Sequence, residues 1–198
     1  ARYKSETFIY GKEANQYFKE ALKKLNLTGK ILLAAEGEGR NAIYAAKKGL
    51  DIFAFDISEQ ARNKALQFAK EENVQIRYEV GEISNLGLEE DTFDAAAMTF
   101  AHLPAQLRRN FHREVAKCIK PGGFIILQGF SKKNLENKRK NPNAGGPNKE
   151  EMLFSEEIIR DDFQGFEMIE LEEAQVNLRE GVLHNGTASV INFIGRKL

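Results

Sequence analysis

Short apolar runs separated by amphipathic segments occupy most of the chain. Five of these runs have the length and composition of β-strands. They are Ile31–Ala35, Asp51–Phe55, Val74–Val80, Phe93–Thr99 and Phe124–Phe130. Strands separated by helices predict a parallel sheet that is connected by right-handed crossovers and covered by helices on both faces.

The segments that precede and connect these runs have the spacing of amphipathic helices. Helices are predicted over Glu13–Lys24, over Arg40–Lys48, from Ser58 to about Glu72, and from Pro104 to about Ile119. Gly49 follows the second helix where a left-handed residue commonly ends a helix, and Ser58 is a suitable N-cap for the third.

The pattern changes after the fifth strand, which follows a predicted turn at Pro121-Gly122-Gly123. Residues 131–151 are polar and rich in Lys, Asn, Gly and Pro, which predicts a flexible, lid-like loop. A short helix is expected at Glu157–Asp161. Two longer β-like runs, Glu167–Asn177 and Thr187–Arg196, joined through Arg179–Gly186, predict an antiparallel pair. The expected fold is therefore one α/β domain over 1–198, with a Rossmann-like, doubly wound sheet of seven strands.

Composition narrows the classes of protein that fit this pattern. Lys plus Arg and Asp plus Glu both number 29, and this neutral balance argues against binding to duplex nucleic acid. The single cysteine, Cys118, excludes an intrachain disulfide and a thiolate zinc cluster, and no metal is expected. The apolar runs are too short to span a bilayer and the N-terminus has no apolar leader region, so a cytoplasmic location is expected.

A glycine-rich turn follows the first strand. Gly37 and Gly39 precede the next helix, and Asp56 follows the second strand at the spacing of a carboxylate that binds ribose hydroxyls. Gly37-x-Gly39-x-x-Ala42 also fits the dinucleotide-binding pattern. The turn therefore predicts an adenosine-type ligand but does not distinguish NAD from S-adenosylmethionine.

Further motifs along the chain resemble the class I methyltransferases, in particular their small TehB-like branch of tellurite-resistance and thiol-methyltransferase-like proteins. The resemblance covers nearly the whole chain. It rests on Tyr10-Gly11-Lys12-Glu13-Ala14-Asn15, Glu36-Gly37-Glu38-Gly39-Arg40-Asn41, Gly81-Glu82-Ile83, Phe100-Ala101-His102-Leu103-Pro104 and Pro121-Gly122-Gly123. Room for a second nucleotide-binding half is also missing after the fifth strand, which argues against an NAD enzyme.

The resemblance implies S-adenosylmethionine as the cofactor, with S-adenosylhomocysteine as the product, and an N-terminal helical segment over about 1–28 that closes on it. It implies that the cofactor is bound by Tyr10, Glu36, Gly37, Gly39, Arg40, Asp56, Ile57, Glu82, Ile83 and Phe100. The chain departs from the family at Leu33, where an acid is usual, and at Ala35, where a glycine is usual. Glu36 is a candidate for the missing carboxylate, and a solvated side chain is the alternative.

Candidates for the acceptor side are few. His102 follows the fourth strand and could contact the acceptor or act as a base, since histidine titrates near neutral pH; the alternative is a histidine bonded to backbone. His184 could face the site from the turn between the last two strands, or be exposed, and Arg179 could bind an anionic acceptor or be solvated. His112 is expected at the surface.

The resulting hypothesis is an S-adenosylmethionine-dependent methyltransferase whose acceptor is a small molecule, either a thiol or a species derived from a selenium or tellurium oxyanion. The alternatives are an RNA or protein methyltransferase and a non-catalytic S-adenosylmethionine-binding protein. We expect no membrane or nucleic-acid partner and a monomer or weak homodimer.

Overall fold

The chain forms a seven-stranded sheet with helices on both faces. The computed structural model describes Tyr3 and residues 7–198. The strands are β1 (Lys30–Ala34), β2 (Asp51–Asp56), β3 (Arg77–Val80), β4 (Phe93–Thr99), β5 (Ile119–Phe130), β6 (Phe166–Glu180) and β7 (His184–Lys197). The helices are α1 (Gln16–Lys24), α2 (Arg40–Lys47), α3 (Glu59–Glu71), α4 (Ala105–Lys117), α5 (Asn134–Lys140) and α6 (Glu156–Asp162).

The strand order is β3-β2-β1-β4-β5-β7-β6. Strands β1 to β5 pair in parallel, and β7 runs antiparallel to both β5 and β6. The predicted fold class is confirmed, including its antiparallel ending. The order reverses between β1 and β4, which is where open α/β sheets bind their ligands.

Alternate side chains of the central strands enter two separate cores, one on each face of the sheet. Ile31 and Leu33 of β1 pack on one face in a cluster with residues of α1, α2 and α3. Leu32 and Ala34 of the same strand pack on the other face in a cluster with residues of α4 and α6. Since both faces are covered, the central strands read as continuous apolar runs rather than as alternating ones.

Two of the predicted helix boundaries are confirmed by the local geometry. The Ser58 hydroxyl accepts a hydrogen bond from the Ala61 N–H at 3.3 Å and caps α3. Gly49 follows α2 with a φ of 86°, in the left-handed region. Such caps satisfy backbone groups that the ends of a helix leave without partners inside the helix.

The turn predicted at Pro121-Gly122-Gly123 is wrong, because these residues lie within β5. Phe93 of β4 pairs with Ile119, and two residues later Ala95 pairs with Phe124, so the intervening residues form a bulge. A Cβ on Gly123 would lie 2.8 Å from the Asp94 carbonyl oxygen. Glycine at this position lets the bulged strand stay close to β4.

Residues 131–151 are more structured than the loop predicted for them. They contain α5 and two short 3₁₀ turns, and the Asn134 side chain is buried. Its amide donates to the Gly145 carbonyl at 3.1 Å and its carbonyl accepts from the Ser189 N–H at 3.0 Å. The polar composition that predicted a loop instead supplies hydrogen bonds that fix this segment against β7. The final hairpin is also longer than predicted, with its turn at residues 181–183.

Candidate functional site

A cavity of about 560 Å³ opens at the carboxyl ends of the strands beside the reversal of strand order. Ligand pockets in proteins commonly enclose about 300–1,000 Å³. Its walls come from the ends of β1 to β4 and from α4. They consist of residues 55–58, 81–84 and 100–103, together with Tyr3, Ala35, Leu107, Asn110 and Phe111.

The Asp56 carboxylate at the end of β2 is held in a fixed position in this cavity. One oxygen accepts the Gly37 N–H at 3.1 Å and the other accepts the Ser58 N–H at 3.0 Å. Each carboxylate oxygen can accept more than one hydrogen bond. The orientation of the Asp56 carboxylate is therefore set by the two loops around it.

The glycine-rich turn supports Asp56, although Gly37 and Gly39 are not among the residues that line the cavity. Gly37 and Gly39 have φ values of 64° and 86°. A Cβ on Gly39 would lie 2.6 Å from the Cβ of Ala65, so the glycine allows α2 to pack closely on α3. The turn therefore lets the chain pass closely from β1 into α2, and it also places the Gly37 N–H where it donates to Asp56.

Glu36 is placed at the N-terminus of α2. Its carboxylate accepts the Ala42 N–H at 2.7 Å, in the position of an acid that stabilises a helix N-terminus. Burial raises the pKa of Glu36 to about 7 despite this hydrogen bond and the nearby Arg40. Glu36 is not among the residues that line the cavity.

Large apolar side chains are exposed at the mouth of the cavity. Ile57 is 76% exposed and Leu107 is 58% exposed. Ile83 and the exposed Glu82 lie beside them in the wall that follows β3. A flat apolar ligand would cover Ile57 and Leu107, and Glu82 could accept a hydrogen bond from its edge.

Backbone strain is concentrated in the same place. Among the described residues, five that are not glycine have positive φ, and three of them are Asn or Asp, which tolerate this conformation. The other two, Ala35 and Phe100, both have a φ of 55°. They follow the neighbouring strands β1 and β4, and both line the cavity. Strained backbone of this kind tends to cluster at functional sites.

His102 lines the cavity, but both of its ring nitrogens are engaged. Nδ1 lies 2.7 Å from the Met152 carbonyl oxygen, and Nε2 accepts the Phe130 N–H at 3.0 Å. Burial lowers the pKa of His102 to about 4, which keeps the ring neutral. Because the Nε2 lone pair is already used, the geometry favours the backbone-bonded interpretation of His102 over a general base.

His184 is buried, which corrects the expectation of an exposed turn histidine. Its ring centroid lies 4.6 Å from that of Tyr10, 4.5 Å from that of Phe100 and 5.1 Å from that of Phe130. Its Nδ1 is 3.6 Å from a carboxylate oxygen of Glu180. The structure thus places Tyr10 against His184, and neither residue is among those that line the cavity.

The two candidate arginines are placed elsewhere. Arg40 is buried and its guanidinium donates to Glu180 at 2.7 Å and to the Tyr10 carbonyl at 3.3 Å. Arg179 is exposed, on the opposite face of β6 from the buried Leu178. Neither lines the cavity, so of the residues predicted to bind the cofactor the structure gathers Asp56, Ile57, Glu82, Ile83 and Phe100 around it.

His112, expected at the surface, is buried beneath α6. Its Nδ1 lies 2.8 Å from an oxygen of Asp162, which also accepts from Arg108 at 2.9 Å. The pairing explains how a histidine among arginines in the sequence can lie in the core, since Asp162 compensates the charge around it.

Residues 7–15, which we call the N-terminal strap, make contacts that the sequence pattern does not predict. The Ile9 N–H donates to the buried Glu38 at 2.8 Å, and the Val182 N–H donates to the Ile9 carbonyl at 2.9 Å. Beyond the strap, Tyr3 lines the cavity. These pairs are separated by 29 or more positions in the chain, and local sequence patterns carry no signal for them.

Among the described residues there is no group of three or more His, Cys, Asp and Glu side chains placed to hold a metal ion. In the same part of the chain, no helix is both long enough and apolar enough to cross a membrane.

Comparisons with known proteins agree with this geometry. Residues 31–123 match the family model described as a methyltransferase domain. A demethylmenaquinone methyltransferase from Paenarthrobacter aurescens is 28% identical over 102 residues, which cover 52% of this chain. The chain spans only 39% of the length of that relative.

Solved structures show the same fold. A S-adenosylmethionine-dependent methyltransferase from Methanosarcina mazei has a TM-score of 0.73 and 19% identity, covering 94% of this chain and 99% of that one. TehB from Haemophilus influenzae has a TM-score of 0.72 and 16% identity, covering 93% of this chain and 63% of that one. These likenesses show that the chain has the fold expected from its resemblance to class I methyltransferases.

Proposed function

We propose that this chain is a class I methyltransferase that transfers a methyl group from S-adenosylmethionine to a small-molecule acceptor. One observation carries this proposal. The fixed Asp56 carboxylate faces a cavity of about 560 Å³ at the reversal of strand order, between exposed apolar side chains.

The residues around the cavity suit the parts of this cofactor. Asp56 can accept hydrogen bonds from the two ribose hydroxyls. Ile57, Ile83 and Leu107 offer apolar surface to the adenine ring, and Glu82 can accept from its edge. The acidic groups Asp56 and Glu82 also suit a ligand with a positively charged sulfonium.

When bound, the cofactor would supply an electrophilic methyl group on a sulfonium, and S-adenosylhomocysteine would leave with the C–S bonding pair as a nucleophile takes that methyl group in line. The residues of the site then act chiefly by alignment, which is catalysis by proximity and orientation. Asp56 fixes the ribose, and the residues after β4 form the wall on the acceptor side. No proton transfer by His102 is needed if the acceptor arrives as an anion.

The engaged nitrogens of His102 therefore support a soft acceptor that loses its proton before it reacts. A thiol does so near neutral pH far more readily than an alcohol. Thiols, and species derived from selenium or tellurium oxyanions, are accordingly the first acceptors to test. His184 and Arg179 stay candidates for acceptor contacts.

Thermal unfolding in the presence of ligands tests the cofactor. S-adenosylmethionine and S-adenosylhomocysteine should raise Tm, because a ligand that binds only the folded state stabilises it, whereas NAD should not. Asp56→Ala should abolish the shift, and Asp51→Ala, at the exposed start of the same strand β2, should preserve it. Stabilisation by NAD but not by S-adenosylhomocysteine would refute the proposal.

A screen for release of S-adenosylhomocysteine tests the acceptor. It should include small thiols, selenite and tellurite with a thiol reductant, and small phenols. Product from the thiols or from the reduced selenium or tellurium species supports the proposed acceptor class. Cofactor binding without product from any acceptor favours a non-catalytic binding protein.

A further inference from the structure

Phe100 separates the cavity from a buried aromatic cluster. Phe100 lines the cavity at the end of β4. On its other side, the ring centroid lies 4.5 Å from that of Phe130, in a stacked arrangement, and 4.5 Å from that of His184, edge to face. Tyr10 packs against the same histidine. One aromatic ring therefore stands between the ligand space and the junction of the N-terminal strap with the β6–β7 hairpin.

The backbone of Phe100 is held in the conformation that places its ring there. Its φ of 55° is a genuine outlier for a bulky residue. Its N–H donates to the Gln128 carbonyl of β5 at 2.7 Å, which fixes the turn after β4. A strained backbone conformation persists only where the surrounding structure holds it in place. Here the surrounding structure holds Phe100 in the conformation that directs its aromatic ring.

The position of Phe100 along the ligand follows from the proposed function, on which this inference rests. If Asp56 binds the ribose and Ile57, Ile83 and Leu107 cover the adenine, the sulfur end of the cofactor lies toward the ends of β1 and β4. These ends carry Ala35 and Phe100, and Phe100 is the larger of the two. The reacting methyl group would then point into the space that Phe100 bounds.

We propose that Phe100 determines acceptor specificity by closing this space on the side of His184, so that the site accepts compact nucleophiles and excludes bulky ones. A small thiol would fit against the aromatic ring. A bulky aryl thiol or a side chain of a macromolecule would collide with Phe100, which cannot swing aside because Phe130 and His184 pack behind it.

Cofactor analogues with a larger group on the sulfonium test this wall without knowledge of the acceptor. The probes are S-adenosylmethionine and its analogue with a benzyl group in place of the methyl group, and the readout is Kd by calorimetry. We expect the wild-type protein to bind the benzyl analogue at least about tenfold more weakly than S-adenosylmethionine, which corresponds to a clash of modest size. Phe100→Ala should remove most of this difference.

Two further variants keep the test decisive. Phe100→Gly retains the positive φ without strain, so it preserves the fold if Phe100→Ala does not, and it should also accept the benzyl analogue. Phe130→Leu loosens the packing behind Phe100 from outside the cavity, so it should discriminate less than the wild type but more than Phe100→Ala.

The inference is overturned if the wild-type protein binds both ligands equally, or if both Phe100 variants bind S-adenosylmethionine normally and still reject the benzyl analogue. Failure of the proposed function looks different, because the wild-type protein would then bind neither S-adenosylmethionine nor S-adenosylhomocysteine.

Discussion

Ala35 shows how a single residue can store strain beside a ligand site. The sequence has alanine where the resembled family has glycine, and the structure gives this residue a φ of 55°. A residue with a Cβ pays about 1–2 kcal/mol in the left-handed region. The sequence thus shows that alanine replaces the usual glycine at position 35, but the strain energy of this replacement depends on a backbone angle that only the folded turn defines.

Replacing Ala35 by glycine should relieve this strain. We expect the free energy of unfolding in Ala35→Gly to rise by about 1 kcal/mol, less the extra chain entropy that glycine gives the unfolded state. Urea denaturation measures it. Asn73→Gly is the matched control, because Asn73 has the same φ of 55° but is a residue type that tolerates it. A gain no larger than in the control would contradict the strain at Ala35.

At the scale of secondary-structure elements, the sequence pattern predicted best the features that depend on residues within the same element. Strand β4 was predicted with the bounds that it has, and α2 and α3 within one residue at each end, because their apolar spacing and caps lie within the element itself. The path of the N-terminal strap, the bulge in β5 and the order within 131–151 depend on distant partners such as Glu38 and Ser189. The site could be predicted only in part for the same reason. The position of Asp56 is predictable because it directly follows a strand, whereas the position of His184 depends on contacts with four different segments of the chain.

Close contact between the strap and the β6–β7 turn suggests that this turn helps to shape the ligand site. A Cβ on Gly181 would lie 2.7 Å from the Gly11 nitrogen and would also collide with the Ile9 carbonyl. We expect Gly181→Ala to displace the strap, and with it Tyr3 at the cavity wall, and so to weaken S-adenosylhomocysteine binding roughly tenfold, about 1.4 kcal/mol. Calorimetry measures this affinity.

Gly49→Ala is the control for Gly181→Ala, since Gly49 also has a positive φ, 86°, but has no neighbouring atom within 4 Å of an added Cβ. In both variants the left-handed backbone destabilises alanine relative to glycine, and only in Gly181→Ala does the added Cβ also collide with the strap. Equal losses of affinity in the two variants would show that the strap does not depend on this contact.

At the scale of the whole molecule, two partly buried groups, Glu36 and His102, give the free energy of unfolding opposite dependences on pH. The pKa of Glu36 is raised to about 7, so its contribution is fully present below pH 4.5 and is lost as the pH rises through 7. The pKa of His102 is lowered to about 4, so the stability tied to its neutral form is lost as the pH falls from 6.5 toward 4. Between pH 4.5 and 6.5 the two slopes oppose each other, which should flatten this part of the wild-type stability curve.

In Glu36→Gln, the free energy of unfolding should show the pH dependence that His102 alone provides. The amide oxygen can still accept the Ala42 N–H, and no charge has to be buried when the pH rises. We expect the variant to match the wild type near pH 4.5 and to become more stable by about 1–3 kcal/mol above pH 7, since one pKa unit corresponds to about 1.4 kcal/mol. Urea denaturation across pH 4.5–8 measures the difference, and Glu89→Gln, a substitution on the exposed surface, is the control. A constant difference between Glu36→Gln and the wild type would mean that Glu36 ionises in the folded protein as freely as in the unfolded chain.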